Sequence, residues 1–224
     1  YVHKFIRSQK CRATIRPIHD QIFHGHHRRL SYTGASLITV QLPRAVLVHP
    51  GAYFYLHFPR VGLRQFRGEP MMAYGWKAAN AADGWNRDCQ LVKELTFLVE
   101  DQAHLTSVLS ADDSEVTVEG PYGRELSLHQ FKTVFLVAEG SGVAGIMPLA
   151  TALAERRGFD QERKARSISG EAGLQKTHAH RDNTMRLNII WVLREASELN
   201  WAAESLRGLS RADPGRVSTY TDKC

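Results

Sequence analysis

The residues best placed to do chemistry are glycines. Thr133–Ala138 (TVFLVA) is an unbroken apolar run that leads directly into Glu139-Gly140-Ser141-Gly142-Val143-Ala144-Gly145. Glycines after a buried strand let the main chain turn tightly and let an anion approach closely. The helix behind them offers unbonded N–H groups and a partial positive charge, so the anion this suits is a phosphate. The third glycine of a dinucleotide fingerprint is missing, Gly145 being offset by one, and no Gly-Lys-Ser/Thr is present. On this motif alone, nucleotide binding and a purely structural strand–helix turn both stay open. His24-Gly25-His26-His27 has the side chains of a metal site. It lacks an acidic or Cys partner at a supporting spacing, so HGHHRRL reads as a basic, solvated loop and no metal is expected. With no Gly-x-Ser-x-Gly elbow and no locally supported Cys/His pair, hydrolytic chemistry is disfavoured.

The elements that must position the glycine turn fall into two groups. Before residue 130 the chain is rich in short strand signals: Arg12–Pro17, Ser36–Leu42 with Ala45–Val48, Tyr53–Phe58, Glu94–Glu100 and Ser114–Glu119. His49-Pro50-Gly51 is a turn between two of them. Short β-branched or aromatic runs separated by turns predict a small antiparallel barrel or sandwich. After residue 130 the order is strand, helix, strand, helix, strand. Thr133–Ala138 predicts a strand buried on both faces. Met147–Arg157 predicts a helix with Pro148 in its first turn. Leu187–Leu193 is a second strand, Glu198–Leu209 a helix capped by Ser197, and Arg216–Thr221 a third strand. Alternation of this kind predicts a parallel sheet with helices packed on it. Asp160–Thr184, polar and poor in large apolar residues, reads as a mobile insertion. The boundary between the two parts falls at His129–Lys132, giving parts 1–130 and 131–224.

Composition fits this picture. The chain has 224 residues, enough for two small domains, and 43% of them are hydrophobic. Three scattered cysteines do not make a disulfide scaffold. The N-terminal stretch lacks the apolar core of a signal peptide. Val134–Leu153 is long enough for a membrane span but holds Glu139, three glycines and Pro148, and a strand–turn–helix explains it better. A formal net charge of +6 favours anionic partners. The basic residues are dispersed and form no nucleic-acid motif, so no nucleic-acid partner is expected.

Four segments in order resemble a known family. Val118-Glu119-Gly120-Pro121-Tyr122-Gly123, followed by Val134 through Pro148, is similar to the junction of the flavin and nicotinamide domains in the ferric reductase / NADPH oxidase branch of the ferredoxin–NADP reductase superfamily. His49–Pro59 is similar to that family's Pro-Gly-x-Tyr strand, and Ile190–Glu195 to its second nucleotide-domain strand. The long segment 160–184 resembles those of fungal ferric reductases. The resemblance implies an N-terminal antiparallel flavin-binding β-barrel and a C-terminal α/β parallel-sheet domain that binds NADPH. It implies an oxidoreductase that passes electrons from NADPH through FAD to haems in a membrane part. Ferric chelates, or oxygen in an oxidase-type relative, are then the acceptors, and this portion lies on the cytosolic side of a membrane. By the same resemblance Gly140, Ser141, Gly142 and Val143 hold the NADPH pyrophosphate. Arg194, at the C-terminal end of a parallel strand, meets the 2′-phosphate. Pro70, Met71 and Met72 take the positions of the flavin motif.

Two departures from the family pattern stand out. The flavin motif is His-Pro-Phe followed by Ser or Thr, whereas this chain has Glu69-Pro70-Met71-Met72. Only the proline is kept, and an acid replaces the cation near a flavin pyrophosphate. Two like charges about 4 Å apart repel by about 4 kcal/mol at an effective dielectric near 20. Weak or altered FAD binding is therefore expected. The chain also ends at Asp222-Lys223-Cys224, short of the family's Cys-Gly-Pro type motif, and membrane helices do not precede Tyr1 within it. A fragment or a degenerate copy is expected, with a nucleotide-binding module without turnover as the alternative. A charge-driven membrane-surface or nucleic-acid binder is the further rival.

Overall fold

The computed structural model describes residues 8–24, 27–58, 70–79, 89–100, 114–168, 180–213, 215 and 217–223. Seven strands make up its N-terminal part. They are β1 (Ser8–His24), β2 (His27–Val48), β3 (Tyr53–His57), β4 (Pro70–Met72), β5 (Gly75–Ala78), β6 (Gln90–Glu100) and β7 (Ser114–Tyr122). All pair antiparallel, in the order β4-β3-β7-β1-β2-β6-β5, as a curled sheet or half-barrel. The short runs expected in the first fifty residues are parts of one long hairpin, β1 with β2, paired from Arg12–Gln41 to His24–His27 with a register shift between Pro17 and His19.

Period-two alternation selects what lies inside. Ile38 and Val40 of β2, Phe54 and Leu56 of β3, Leu95 and Phe97 of β6, and Val116 and Val118 of β7 are almost fully buried in one core. Each such side chain contributes about 1.5–3 kcal/mol relative to exposure. The opposite faces of β2 and β6 are used as well. Ala35 and Leu98 are buried in a second core that belongs mainly to the C-terminal part.

That part has three parallel strands, β8 (Thr133–Glu139), β9 (Arg186–Leu193) and β10 (Val217–Lys223), in the order β10-β9-β8. The crossovers carry α1 (Val143–Ile168) and α2 (Leu199–Ala212). Both steps run in the same direction across the sheet. Right-handed crossovers then place both helices on one face, where Val134, Leu136, Ile189 and Trp191 meet Met147, Ala150 and Trp201.

Three expectations change here. β8 is buried on one face only, with Phe135 64% and Val137 62% exposed, because both helices lie on its other side. The first helix runs to Ile168, so 160–168 is helix and not loop. Polar residues suit a helix standing in water, at a rise of about 1.5 Å per residue. Pro148 is accordingly its sixth residue, in the second turn, where it leaves the Ala144 carbonyl without its helical donor. The far end of the expected insertion is held too. The Asp160 carboxylate accepts the N–H groups of His180 and Arg181, both at 2.8 Å, and Arg156 grips Asp182 through two nitrogens at 2.8 and 2.7 Å. Residues 169–179 lie outside the described residues.

The two parts meet through specific contacts. The indole N–H of Trp201 on α2 donates to the carbonyl and hydroxyl of Thr33 on β2, at 3.2 and 3.1 Å. The Tyr74 hydroxyl, between β4 and β5, donates to the Trp201 carbonyl at 3.2 Å and lies 2.7 Å from the Ser205 hydroxyl. Among the described residues no helix is long and apolar enough to cross a membrane.

Candidate functional site

The glycine turn is a single 3₁₀ turn, Gly140–Gly142, wedged between β8 and α1. Gly140 has φ +49°, a left-handed conformation that costs other residues energy. Its carbonyl accepts the buried Trp191 indole N–H at 2.9 Å, so β9 fixes the turn from beneath. No side chain caps the turn. Val143, expected among the phosphate contacts, opens α1 and is fully buried, so only its backbone can face a ligand.

Arg194 follows β9 and lies over the turn. A Cβ built on Gly140 would come within 2.4 Å of its Nη2. The same Nη2 is 2.7 Å from Glu100 Oε1, at the end of β6, and Arg194 Nε is 3.3 Å from Glu198. The Arg194 N–H donates to Glu198 Oε2 at 3.1 Å, and the Ser141 hydroxyl to Glu100 Oε2 at 3.2 Å. Hydrogen bonding and charge from Glu100 push the Arg194 pKa upward. The structure thus brings Gly140, Ser141 and Arg194 together and adds two carboxylates that sequence reasoning missed. One of them, Glu100, comes from the other half of the molecule.

Glu198 also corrects the expected cap. Ser197 does not cap the second helix, and its hydroxyl turns to Glu195 Oε2 at 3.3 Å. A 3₁₀ turn, Ala196–Glu198, leads into α2, and the buried Glu198 carboxylate reaches back to Arg194.

These residues fit a phosphate group. A left-handed glycine presents bare backbone, an uncapped turn opens a helix, and a hydroxyl and a guanidinium sit beside it. The Glu100 carboxylate now lies on two of those donors.

The flavin-motif strand is built differently. Pro70, Met71 and Met72 pair with Tyr55, Phe54 and Tyr53. Pro70 is exposed and Met71 packs against the barrel core. Met72 packs on the first turn of α1, where a Cβ on Gly145 would lie 3.4 Å from its Cγ. Beside them Tyr53 stacks on Tyr122 at 5.5 Å between ring centroids, and Tyr122 donates to Glu119. Gly120, with φ +147°, leaves room for Phe54, whose ring carbon would lie 2.6 Å from an added Cβ. Pro70, Met71 and Met72 carry neither cation nor hydroxyl, so they do not fit the polar contacts of the flavin motif. Glu69 lies outside the described residues. So do Gly25 and His26 of the His24–His27 cluster, and among the described residues no three metal-ligating groups converge.

Residues 131–221 match the family described as ferric reductase NAD binding domain. The chain is 27% identical over 143 residues to "Ferric reductase transmembrane component 5" of Saccharomyces cerevisiae, a match covering 61% of this chain and 19% of that protein. Three solved structures share the architecture. The CS-b5R domains of human Ncb5or in the NAD+ form match at TM-score 0.59 and 14% identity, covering 96% of this chain and 51% of that one. Ferredoxin-NADP+ reductase from Plasmodium falciparum matches at 0.56 and 8%, covering 96% and 70%. Flavohemoglobin from Malassezia yamatoensis, with bound FAD and heme, matches at 0.54 and 11%, covering 99% and 46%. The chain spans about a fifth of the yeast relative and about half of the human one. The chain shares the two-part fold of these solved structures, and its residues 131–221 match the ferric reductase NAD binding domain family.

Proposed function

We propose that the chain is the dehydrogenase portion of a ferric-chelate reductase, taking NADPH at the Gly140–Gly142 turn and acting on the cytosolic side of a membrane. Residues 1–130 are then the flavin-type half and 131–224 the nucleotide half. A flavin held by residues 1–130 and haems in a membrane part would supply the onward path of the electrons to ferric iron. The observation that carries the nucleotide end is the turn itself: a left-handed Gly140, an uncapped helix start, and Arg194 lying over both.

The residues divide the work as follows. The backbone N–H groups of Gly140, Ser141 and Gly142 and the Ser141 hydroxyl hold the pyrophosphate. Arg194 pairs with the 2′-phosphate, for which it must exchange Glu100 for the incoming anion. Glu198 keeps its hold on the Arg194 backbone N–H, so the guanidinium turns about a fixed point. Bound NADPH supplies a hydride, and the protein's part is to orient it.

A second reading is favoured by one observation. The positions of the flavin motif hold Pro70, Met71 and Met72, which are taken up by packing. A nucleotide-binding module without turnover would look like this. The purified chain, titrated with FAD and then given NADPH and ferricyanide, separates the two. Yellow colour with NADPH-dependent ferricyanide reduction supports the dehydrogenase. NADPH binding with neither colour nor reduction, in a chain extended at its C-terminus, supports the module.

A further inference from the structure

Away from the nucleotide turn, a cleft of about 360 Å³ lies at the joint of the two halves. Its walls come from three places. Val48, Pro50 and Trp76 belong to the barrel, Leu126 to the connection between the halves, and Leu149 and Leu153 to α1. The lining is mostly apolar. It contains one feature that an apolar joint does not need, the carboxyl group of Glu155. Its Oε2 is buried without a hydrogen-bond partner. Burial alone, with no compensating partner, raises its pKa to about 7.

The other charged or titratable groups on the cleft do not neutralise it. Arg156 is committed to Asp182 by two hydrogen bonds. Glu125 carries the same sign of charge as Glu155, and His129 stands on the connecting segment. The Tyr74 hydroxyl is used by Trp201 and Ser205. A carboxyl left without a partner in an apolar wall costs free energy that a ligand's donor would recover. An apolar cleft with a single perturbed acid is the usual form of a small-molecule site.

We propose that this cleft binds an apolar, ring-sized molecule carrying one protonated amine, with the ammonium paired to Glu155 and the apolar body against Trp76, Leu126 and Leu149. The site is separate from the nucleotide turn. It touches both halves at once, so an occupant would brace them against each other.

The test uses the whole chain and three probes of one shape: 2-naphthylmethylamine, 2-naphthylmethanol and 2-naphthylacetate, titrated by calorimetry at pH 7.5. The expected order is amine first, the alcohol at least about tenfold weaker, and the acid without measurable binding. Glu155→Gln should bring the amine down to the alcohol while leaving the alcohol unchanged. Ala152→Trp, which fills the cleft, should abolish binding of both. Equal binding of the three probes, no binding of the amine, or an amine preference that survives Glu155→Gln would overturn the proposal. The wild-type series alone decides the first two outcomes, so the test stands even where a variant does not fold.

Discussion

The glycine turn and the β4 strand are the candidate ligand segments of the two halves, and their construction is opposite. At Gly140–Gly142 the turn has no Cβ at Gly140 or Gly142, and a guanidinium lies over it. Gly140 is left-handed, no side chain caps the turn, and Trp191 holds it from the buried side. At Pro70–Met72 side chains fill the space. Met71 packs against the barrel core and Met72 is on α1. Bare backbone at a helix start is costly unless an anion or water uses it, whereas a packed methionine is stable as it stands. One region is built as though a ligand completes it, and the other is complete without one.

The largest effect that breaks this contrast is at Gly140. Gly140→Val places a branched side chain in a left-handed conformation and into Arg194. NADPH affinity, followed by fluorescence titration, should fall by about a hundredfold or more, which is about 2.8 kcal/mol. The next effect concerns β4. Replacing Glu69 by His, Met71 by Phe and Met72 by Thr restores the family's pattern. FAD affinity should then rise by about tenfold or more, read by flavin fluorescence quenching. An unchanged FAD affinity would show that β4 does not set the difference between the halves. A smaller effect belongs to Glu100, which lies on the phosphate donors. Glu100→Gln should tighten NADPH binding by about three- to tenfold, a modest gain because the ion pair with Arg194 is half exposed.

The smallest effect concerns the joint. The folded-state pKa of Glu155 is raised from 4.5 to about 7, so the folded chain holds this proton more tightly than the unfolded chain. Its contribution is intact below about pH 4.5 and is lost as pH rises toward 7. Urea unfolding should show stability falling across that window, and Glu155→Gln should flatten the fall and stabilise the protein at pH 8 by about 1 kcal/mol.

Much of the architecture was legible in the sequence because its signals are local. The apolar run Thr133–Ala138, the glycines behind it and the second run Leu187–Leu193 mark parallel strands and a turn without help from distant residues. The signals that misled were also local. Gln161–Lys164 is polar because that stretch of α1 stands in water, and polarity alone does not separate a solvated helix from a loop. Phe135 and Val137 look like core because apolar composition does not report which face the helices choose. The site was half legible. Gly140 and Arg194 announce themselves by type and position. Glu100 reaches Arg194 across 94 positions of sequence, and nothing in a single sequence marks such a pair. Glu198 could have been suspected, since it stands four residues from Arg194.

The central claim is that one half is built to be completed by a nucleotide and the other is already filled. Dissociation constants for NADPH and for FAD, measured on the same purified chain at the same salt concentration, test it most directly. The account predicts that NADPH binds more tightly than FAD and that Gly140→Val removes the NADPH signal. Sub-micromolar FAD binding, with NADPH binding weak and indifferent to Gly140→Val, would contradict it.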